Sequence, residues 1–198
     1  MKILSVAAAI AMFTSTCVVF GQTAGTCAAP FEAALQSKTM LLIDSRSAEI
    51  EIVGTDNPGL RVSCTLEHAE EAREVKIQLS AEGIDRKLKV RGGPNGNVHL
   101  RIEVPRTTNL RIHAPAGVVK VAQVEGDKDI ALYAGEITVS RVNDREYRYV
   151  EASAKIGEVN AKDFNVDKGG FFRTFTTENT DGKYRLRARV VTGSIVLN

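Results

Sequence analysis

The chain has 198 residues, of which 43% are hydrophobic and 25% charged, and its formal net charge at pH 7 is +2. This length supports one domain with a hydrophobic core, and a charge so near zero argues against a surface that attracts nucleic acid or anionic membrane as a whole. With three cysteines, three histidines and no CxxC motif, we expect neither a metal site nor a cofactor.

The first 24 residues have the pattern of a secretory signal peptide. Lys2 precedes an apolar run at residues 3–13, and small and polar residues follow as far as Ala24. The run is shorter than the about 20 residues that span a membrane. Cleavage after Gly21 and cleavage after Ala24 both fit, and a retained signal anchor is the alternative. We therefore expect export to the periplasm or cell surface, with no transmembrane span after cleavage.

Removal of this segment would leave two cysteines, Cys27 and Cys64. Two thiols in an exported chain indicate one disulfide, and two unpaired thiols are the rival interpretation. Residues 25–40 are expected to form an N-terminal segment or a short helix, and residues 68–74 one helical turn. From residue 41 to residue 198, apolar and polar residues mostly alternate with period two, which predicts a single all-β domain.

The strongest feature of this domain is an internal repeat. A small residue, usually glycine, is followed by two aliphatic or alanine residues at the second and fourth positions after it. The repeat occurs at residues 48–52, 117–121, 135–139, 157–161 and 193–197. Because glycine permits a tight corner and each unit is too small to bury its own apolar face, the pattern predicts a β-solenoid-like stack of coils in chain order. An antiparallel β-sandwich is the alternative fold.

Several local patterns resemble those of exported bacterial proteins named "putative adhesins", which are built on a domain of unknown function. The resemblance covers residues 41–198 and depends on the strand at 47–54, the strand-to-loop junction at 104–112, and the glycine corners at 133–139 and 155–159. It implies a β-solenoid-like fold in the envelope and no established catalytic residues.

Candidate chemistry is sparse. His68, His99 and His113 are expected at the surface, without a second ligand at a metal-binding spacing. Glu136 and Glu158 occupy equivalent repeat positions, so we expect them to stack in one column on the outer surface. The acids at positions 127, 129 and 144 lie near coil boundaries, as turn-forming residues do. We expect no enzyme, and the alternative is a polysaccharide-active β-helical enzyme that uses such acids.

One strand is strongly basic. Lys183, Arg185, Arg187 and Arg189 alternate with apolar residues, so a strand would place all four on one face. A solvated outer face is the first interpretation, and a binding strip for a polyanion is the second. Four phenylalanines near residues 164–175 are expected to plug the fold or cover its side, or to form a partner surface if Phe171 and Phe172 are exposed.

The sequence thus predicts an exported structural or binding module, adhesin-like, of the envelope or cell surface. Its partner would be an envelope component, either polysaccharide or protein, and no specific nucleic acid is expected.

Overall fold

The computed structural model describes residues 22–46, 48–94, 98–142 and 145–198. Strands occupy most of these ranges, and the described residues contain no α-helix, which confirms the predicted all-β class. Among them, no helix is long and apolar enough to cross a membrane. Most of the predicted signal peptide, residues 1–21, lies outside the described residues.

Thirteen strands form one mixed sheet that does not close on itself. They are β1 (Thr23–Thr26), β2 (Phe31–Ala33), β3 (Met40–Ser45), β4 (Ala48–Thr55), β5 (Leu60–Leu66), β6 (Lys76–Glu82), β7 (Asp85–Arg91), β8 (Val98–Pro105), β9 (Asn109–Ala122), β10 (Lys128–Val139), β11 (Tyr147–Ala161), β12 (Val166–Glu178) and β13 (Tyr184–Leu197). Two short 3₁₀ helices lie at Ala69–Arg73 and Lys162–Phe164, and the first of them matches the predicted helical turn.

The sequence allowed for a short helix in residues 25–40, but the structure has strands there. Within residues 25–40 the chain forms the end of β1 and all of β2, which pair antiparallel with β6 and β5. The apolar side chain of Phe31 is buried in the common core. Pro30 sits directly before this strand, and because proline disfavours the helical conformation of the residue before it, an extended entry is favoured here.

Each long strand from β9 onward has two arms separated by a glycine. In β9, residues 109–113 pair with β3, and residues 117–122 pair with β4. The alternation of buried side chains shifts by one residue between the arms, as β10 shows with Ile130 and Leu132 before the glycine and Ile137 and Val139 after it. Both arms therefore direct aliphatic side chains into one hydrophobic core.

The corner residues lie in register from strand to strand. In spatial order they are Ala48, Gly117, Gly135, Gly193, Gly157 and Gly170. Gly135 has φ +131°, and a Cβ placed on it would lie 1.8 Å from the carbonyl oxygen of Gly117. This close approach of neighbouring backbones is why the sequence repeats a glycine at each corner.

The strand order corrects one prediction, that coils stack in chain order. β13 lies between β10 and β11 and runs parallel to both. β11 turns through the 3₁₀ helix at Lys162–Phe164 into β12, which pairs with it antiparallel and occupies its far edge. A parallel partner for β11 therefore has to lie on its other side, next to β10, and β13 takes this position.

The predicted disulfide is present between Cys27 and Cys64, whose Cα atoms lie 5.4 Å apart. It joins the stretch after β1 to β5 across a separation of 37 residues. The amide of Cys27 also donates to the carbonyl of Val75, 3.1 Å away. Because a cross-link of this span restricts the unfolded chain, it is expected to contribute about 3–4 kcal/mol to stability.

Candidate functional site

The basic strip predicted from the sequence lies on β13 and just before it. Arg185, Arg187 and Arg189 are exposed, whereas the residues between them are buried. Lys183 is also exposed and precedes the strand. The three arginines therefore share the outer face of the first arm, as the period-two alternation indicated, whereas Lys183 lies before the strand.

Acids on the neighbouring strands neutralise much of this strip. Asp129 of β10 accepts a 2.7 Å hydrogen bond from Arg189, and Glu151 of β11 lies 3.2 Å from Arg187. The guanidinium groups of Arg185 and Arg187 lie 5.5 and 5.7 Å from the ring centre of Tyr149. The sequence could not identify these partners. They become neighbours of the arginines because β13 inserts between β10 and β11, which does not follow from chain order.

This pairing predicts the behaviour of the strip toward a polyanion. Replacing Arg185 and Arg187 together by serine is expected to leave retention on heparin at low salt unchanged, because Arg187 already faces Glu151 and Arg185 lies against the ring of Tyr149. The matched variant, Asp129→Asn with Glu151→Gln, frees Arg189 and Arg187 and is expected to raise retention. A loss of retention in the arginine variant would instead identify the strip as a polyanion site.

The outer face of the second arm carries a separate charge network. Glu49 accepts a 2.7 Å hydrogen bond from Lys120 and lies 2.8 Å from His99. The hydrogen bond from Lys120 lowers the pKa of the Glu49 carboxyl, and the field of His99 adds to this effect. Arg101 contacts Glu51 at 2.8 Å. His99, predicted at the surface, is exposed and takes part in this charge network through Glu49.

The expected column of Glu136 and Glu158 does not form. Ser194 of β13 lies between them in the register, since β13 separates the two strands that carry these acids. Glu136 instead accepts a hydrogen bond from the hydroxyl of Thr138, 3.0 Å away. Neighbouring carboxylates are thereby kept apart by one strand, and the electrostatic repulsion expected from the sequence is reduced.

The acids near the coil boundaries make structural contacts. The carboxylate of Asp127 accepts a 2.8 Å hydrogen bond from the amide of Arg185, which ties the start of β10 to β13. Asp129 faces Arg189 and lies 3.9 Å from Arg111. Asp144 lies outside the described residues. Within the described ranges, no group of three His, Cys, Asp or Glu side chains converges to hold a metal ion.

A buried lysine lies at the start of β10. The ammonium of Lys128 donates to the hydroxyl of Tyr147 and to the carbonyl of Gly126, 3.0 Å away. Burial lowers the pKa of Lys128 to about 8 and raises the pKa of Tyr147. The pair joins β10 to the first residue of β11, and nothing in the sequence pattern distinguished Lys128 from the surface lysines.

Exposed apolar side chains concentrate at the glycine corners. Tyr133, Ile156, Phe171 and Phe172 are 68%, 48%, 67% and 80% exposed, and the other large apolar side chain exposed in the described chain is Ile84. Ile156 lies directly opposite Phe171 in the β11–β12 register. We call these four residues the corner row. The prediction that Phe171 and Phe172 plug the fold is wrong, whereas Phe164 and Phe175 pack together with ring centres 5.2 Å apart.

An open groove adjoins the row at Tyr133. It has a volume of about 400 Å³ and is lined mainly by apolar surface from β9, β10 and β13, including Pro115, Leu132 and Val191. His113 and Asp44 supply polar groups at its side. Asp44 is held by a 2.6 Å hydrogen bond from Arg91. The groove is shallow and open, and it places an exposed aromatic ring beside the carboxylate of Asp44 and the imidazole of His113.

A second hollow lies at the opposite end of the sheet. It measures about 580 Å³ and is lined by residues 32–36 and 57–61. Glu32 and Arg61 in its lining lie 3.5 Å apart and are both more than half exposed, and its lining contains no aromatic ring. The corner groove is therefore the better candidate.

Comparison with known proteins gives a likeness in fold alone. No family model and no curated protein matches the sequence. A crystal structure described as a "putative cell adhesion protein" from Clostridium sporogenes matches with a TM-score of 0.55 and 13% identity, covering 85% of this chain and 98% of that chain. The similarity shows that the two chains share a fold over nearly the whole of the neighbour.

Proposed function

We propose that this chain is an exported, non-catalytic binding module of the bacterial envelope, adhesin-like, whose corner groove at Tyr133 holds a polysaccharide. The observation that carries this proposal is the exposed ring of Tyr133 beside an open groove that is lined mainly by apolar surface. An exposed aromatic ring beside a mostly apolar groove is typical of an interaction site. The structural neighbour described as a putative cell adhesion protein supports the same class.

The chemistry of the groove favours a sugar chain as its ligand. A tyrosine ring that is mostly exposed can pack against the apolar C–H face of a sugar ring, while its hydroxyl stays hydrated. His113 and Asp44 can then exchange hydrogen bonds with sugar hydroxyls. The groove is open rather than enclosed, which suits a segment inside a long polymer.

Two features support export. The Cys27–Cys64 disulfide persists in an oxidising compartment, and the signal-peptide pattern at residues 1–24 directs a chain to one. β1 begins at Thr23 and pairs there with Leu79, so cleavage after Gly21 would leave this strand whole. The finer form of the fold proposed here is a solenoid-type stack, supported by the register of the glycine corners.

The alternative of a polysaccharide-active enzyme receives less support from the acids. Asp127 and Asp129 are used to hold β13 and its arginines in place. A catalytic pair would instead face a substrate groove with room for water or sugar between the carboxylates. We therefore propose binding without turnover.

Cosedimentation with isolated bacterial cell envelopes tests the proposal. The wild-type protein is expected to pellet with protease-treated envelopes and to lose this binding when periodate oxidises their sugars. Tyr133→Ser is expected to reduce the bound fraction about tenfold, because one aromatic hot-spot contact is worth roughly 1–2 kcal/mol or more.

Ile84→Ser is the matched control, since Ile84 is 91% exposed but lies at the turn between β6 and β7 and does not line the groove. It should bind as the wild type does. Binding that survives periodate but not protease would identify a protein partner and overturn the polysaccharide assignment. Release of reducing sugar would overturn the non-catalytic one.

A further inference from the structure

The last strand of the sheet has one unpaired edge. β12 pairs with β11 on one side, and among the described residues no strand pairs with its other side. Nearly all of its side chains are exposed, including Phe171 and Phe172 at its centre. An edge strand of this length with exposed aromatics is a template for another strand.

The corner of β12 restricts which strand can be added. Every long strand of the sheet places its corner residue against the corner of its neighbour, and in the antiparallel β11–β12 pair Gly157 lies opposite Gly170. A strand added to β12 must therefore present its own glycine corner to Gly170. A second β12 meets this requirement when the two strands run antiparallel with Gly170 facing Gly170.

We infer that the occupant is a second copy of this chain, joined through β12 to β12 about a two-fold axis at Gly170. The corner-to-corner alignment fixes every other pair. Asp167 then lies opposite Arg173 of the second copy, and the symmetry repeats this contact. Lys168 lies opposite Phe172 of the second copy, which places a cation beside an aromatic ring twice. The charges of β12 are thus self-complementary in the register that the fold imposes.

In the single chain, these two cations bond to the strand itself. Arg173 donates to the carbonyl of Gly169 at 2.7 Å, and the ammonium of Lys168 lies 3.4 Å from the carbonyl of Thr174. In the dimer we expect the guanidinium of Arg173 to leave the carbonyl of Gly169 and to bond instead to the carboxylate of Asp167 of the second copy. A charged pair is the stronger hydrogen bond, so the exchange favours association.

The size of the contact indicates a reversible dimer. In this register each Phe171 lies opposite Gly169 of the second copy and each Phe172 opposite Lys168, so the apolar surface covered is at most about 500 Å², below the size of a standard stable interface even when the strand pairing is added. Dissociation in the micromolar range is expected. This inference can fail separately from the proposed function, because its variants lie on β12 and leave the residues that line the groove at Tyr133 unchanged.

Sedimentation equilibrium of the exported, disulfide-bonded protein tests the inference. The wild type is expected to be a concentration-dependent dimer. Asp167→Arg and Arg173→Asp, made separately, each place like charges opposite one another twice and should weaken the dimer at least tenfold. The double variant Asp167→Arg with Arg173→Asp restores opposite charges and should recover the dimer.

Lys76→Asp, on β6 at the far end of the sheet, is the control and should dimerise as the wild type does. Phe172→Ser supplies a second, uncharged test and should also weaken the dimer. A wild type that stays monomeric up to its solubility limit overturns the inference. A dimer that neither single charge reversal weakens also overturns it. A folded double variant that does not recover association overturns it as well.

Discussion

Gly135→Ala is expected to destabilise the protein by about 4 kcal/mol or more, among the largest effects of any single substitution. The new Cβ would lie 1.8 Å from the carbonyl oxygen of Gly117, which belongs to the backbone of the adjacent strand and cannot rotate away. The φ of +131° adds strain, because side-chain-bearing residues rarely adopt it. Urea unfolding monitored by circular dichroism measures the change.

Substitutions at two other glycines distinguish the steric clash of the new Cβ from the strain of a positive φ. Gly169→Ala, in β12, has no atom within 4 Å of the new Cβ and no positive φ, so its stability should stay within about 0.5 kcal/mol of the wild type. Gly83→Ala has equal space but a φ of +65°, so it should cost about 1 kcal/mol from strain alone. If Gly135→Ala proved as mild as Gly83→Ala, the corners could not be stacked in this register.

Stability is expected to rise by roughly 2–3 kcal/mol between pH 7 and pH 10 because of Lys128. Its pKa is about 8 in the folded protein, whereas an unfolded lysine titrates near 10.4. Between these values the unfolded chain binds the extra proton, so raising the pH favours the folded state. Below pH 8 both states are charged, and the full cost of burying the ammonium is present.

Tyr147 sets the upper end of this window. Burial raises its pKa, so the unfolded tyrosine ionises first as the pH passes about 10, and stability then falls again. A maximum near pH 10 is the expected result of the two opposing titrations. Urea unfolding at pH 7, 8.5 and 10 follows the rising part.

Lys128→Met is expected to remove the rise, while its stability at pH 7 stays near that of the wild type or above it, since a buried charge is replaced by an apolar side chain of similar length. The exposed Lys76→Met is the control and should keep the rise. A wild-type stability that does not change from pH 7 to pH 10 would contradict a buried ammonium at this position.

The interaction surfaces illustrate how far sequence reasoning extends. Alternation alone placed Arg185, Arg187 and Arg189 on one exposed face of a strand. It could not find Asp129 and Glu151, because the acids that neutralise this face come from strands remote in the chain. The exposure of Tyr133 and Ile156 could not be predicted either. The alternation changes face at a corner glycine, so a period-two pattern assigns no face to residues near the corner.

The order of the strands shows the same limit. Glu136 and Glu158 occupy identical positions in two repeats, and the sequence places them in one column. The column is broken by Ser194, because the antiparallel hairpin of β11 and β12 blocks one side of β11 and leaves the other to β13. An internal repeat shows that each unit packs against a similar unit, but it does not show which of the other units that neighbour is.

The sequence by itself determined the all-β class and the glycine at each corner, because these depend on local alternation and on the absence of a Cβ, and the number of cysteines indicated the disulfide that the structure shows. Only the tertiary structure decided the insertion of β13, the burial of Lys128 against Tyr147, and the exposure of Phe171 and Phe172 on a free edge. Each of these depends on which distant strands become neighbours, which the long-range packing of the whole sheet selects.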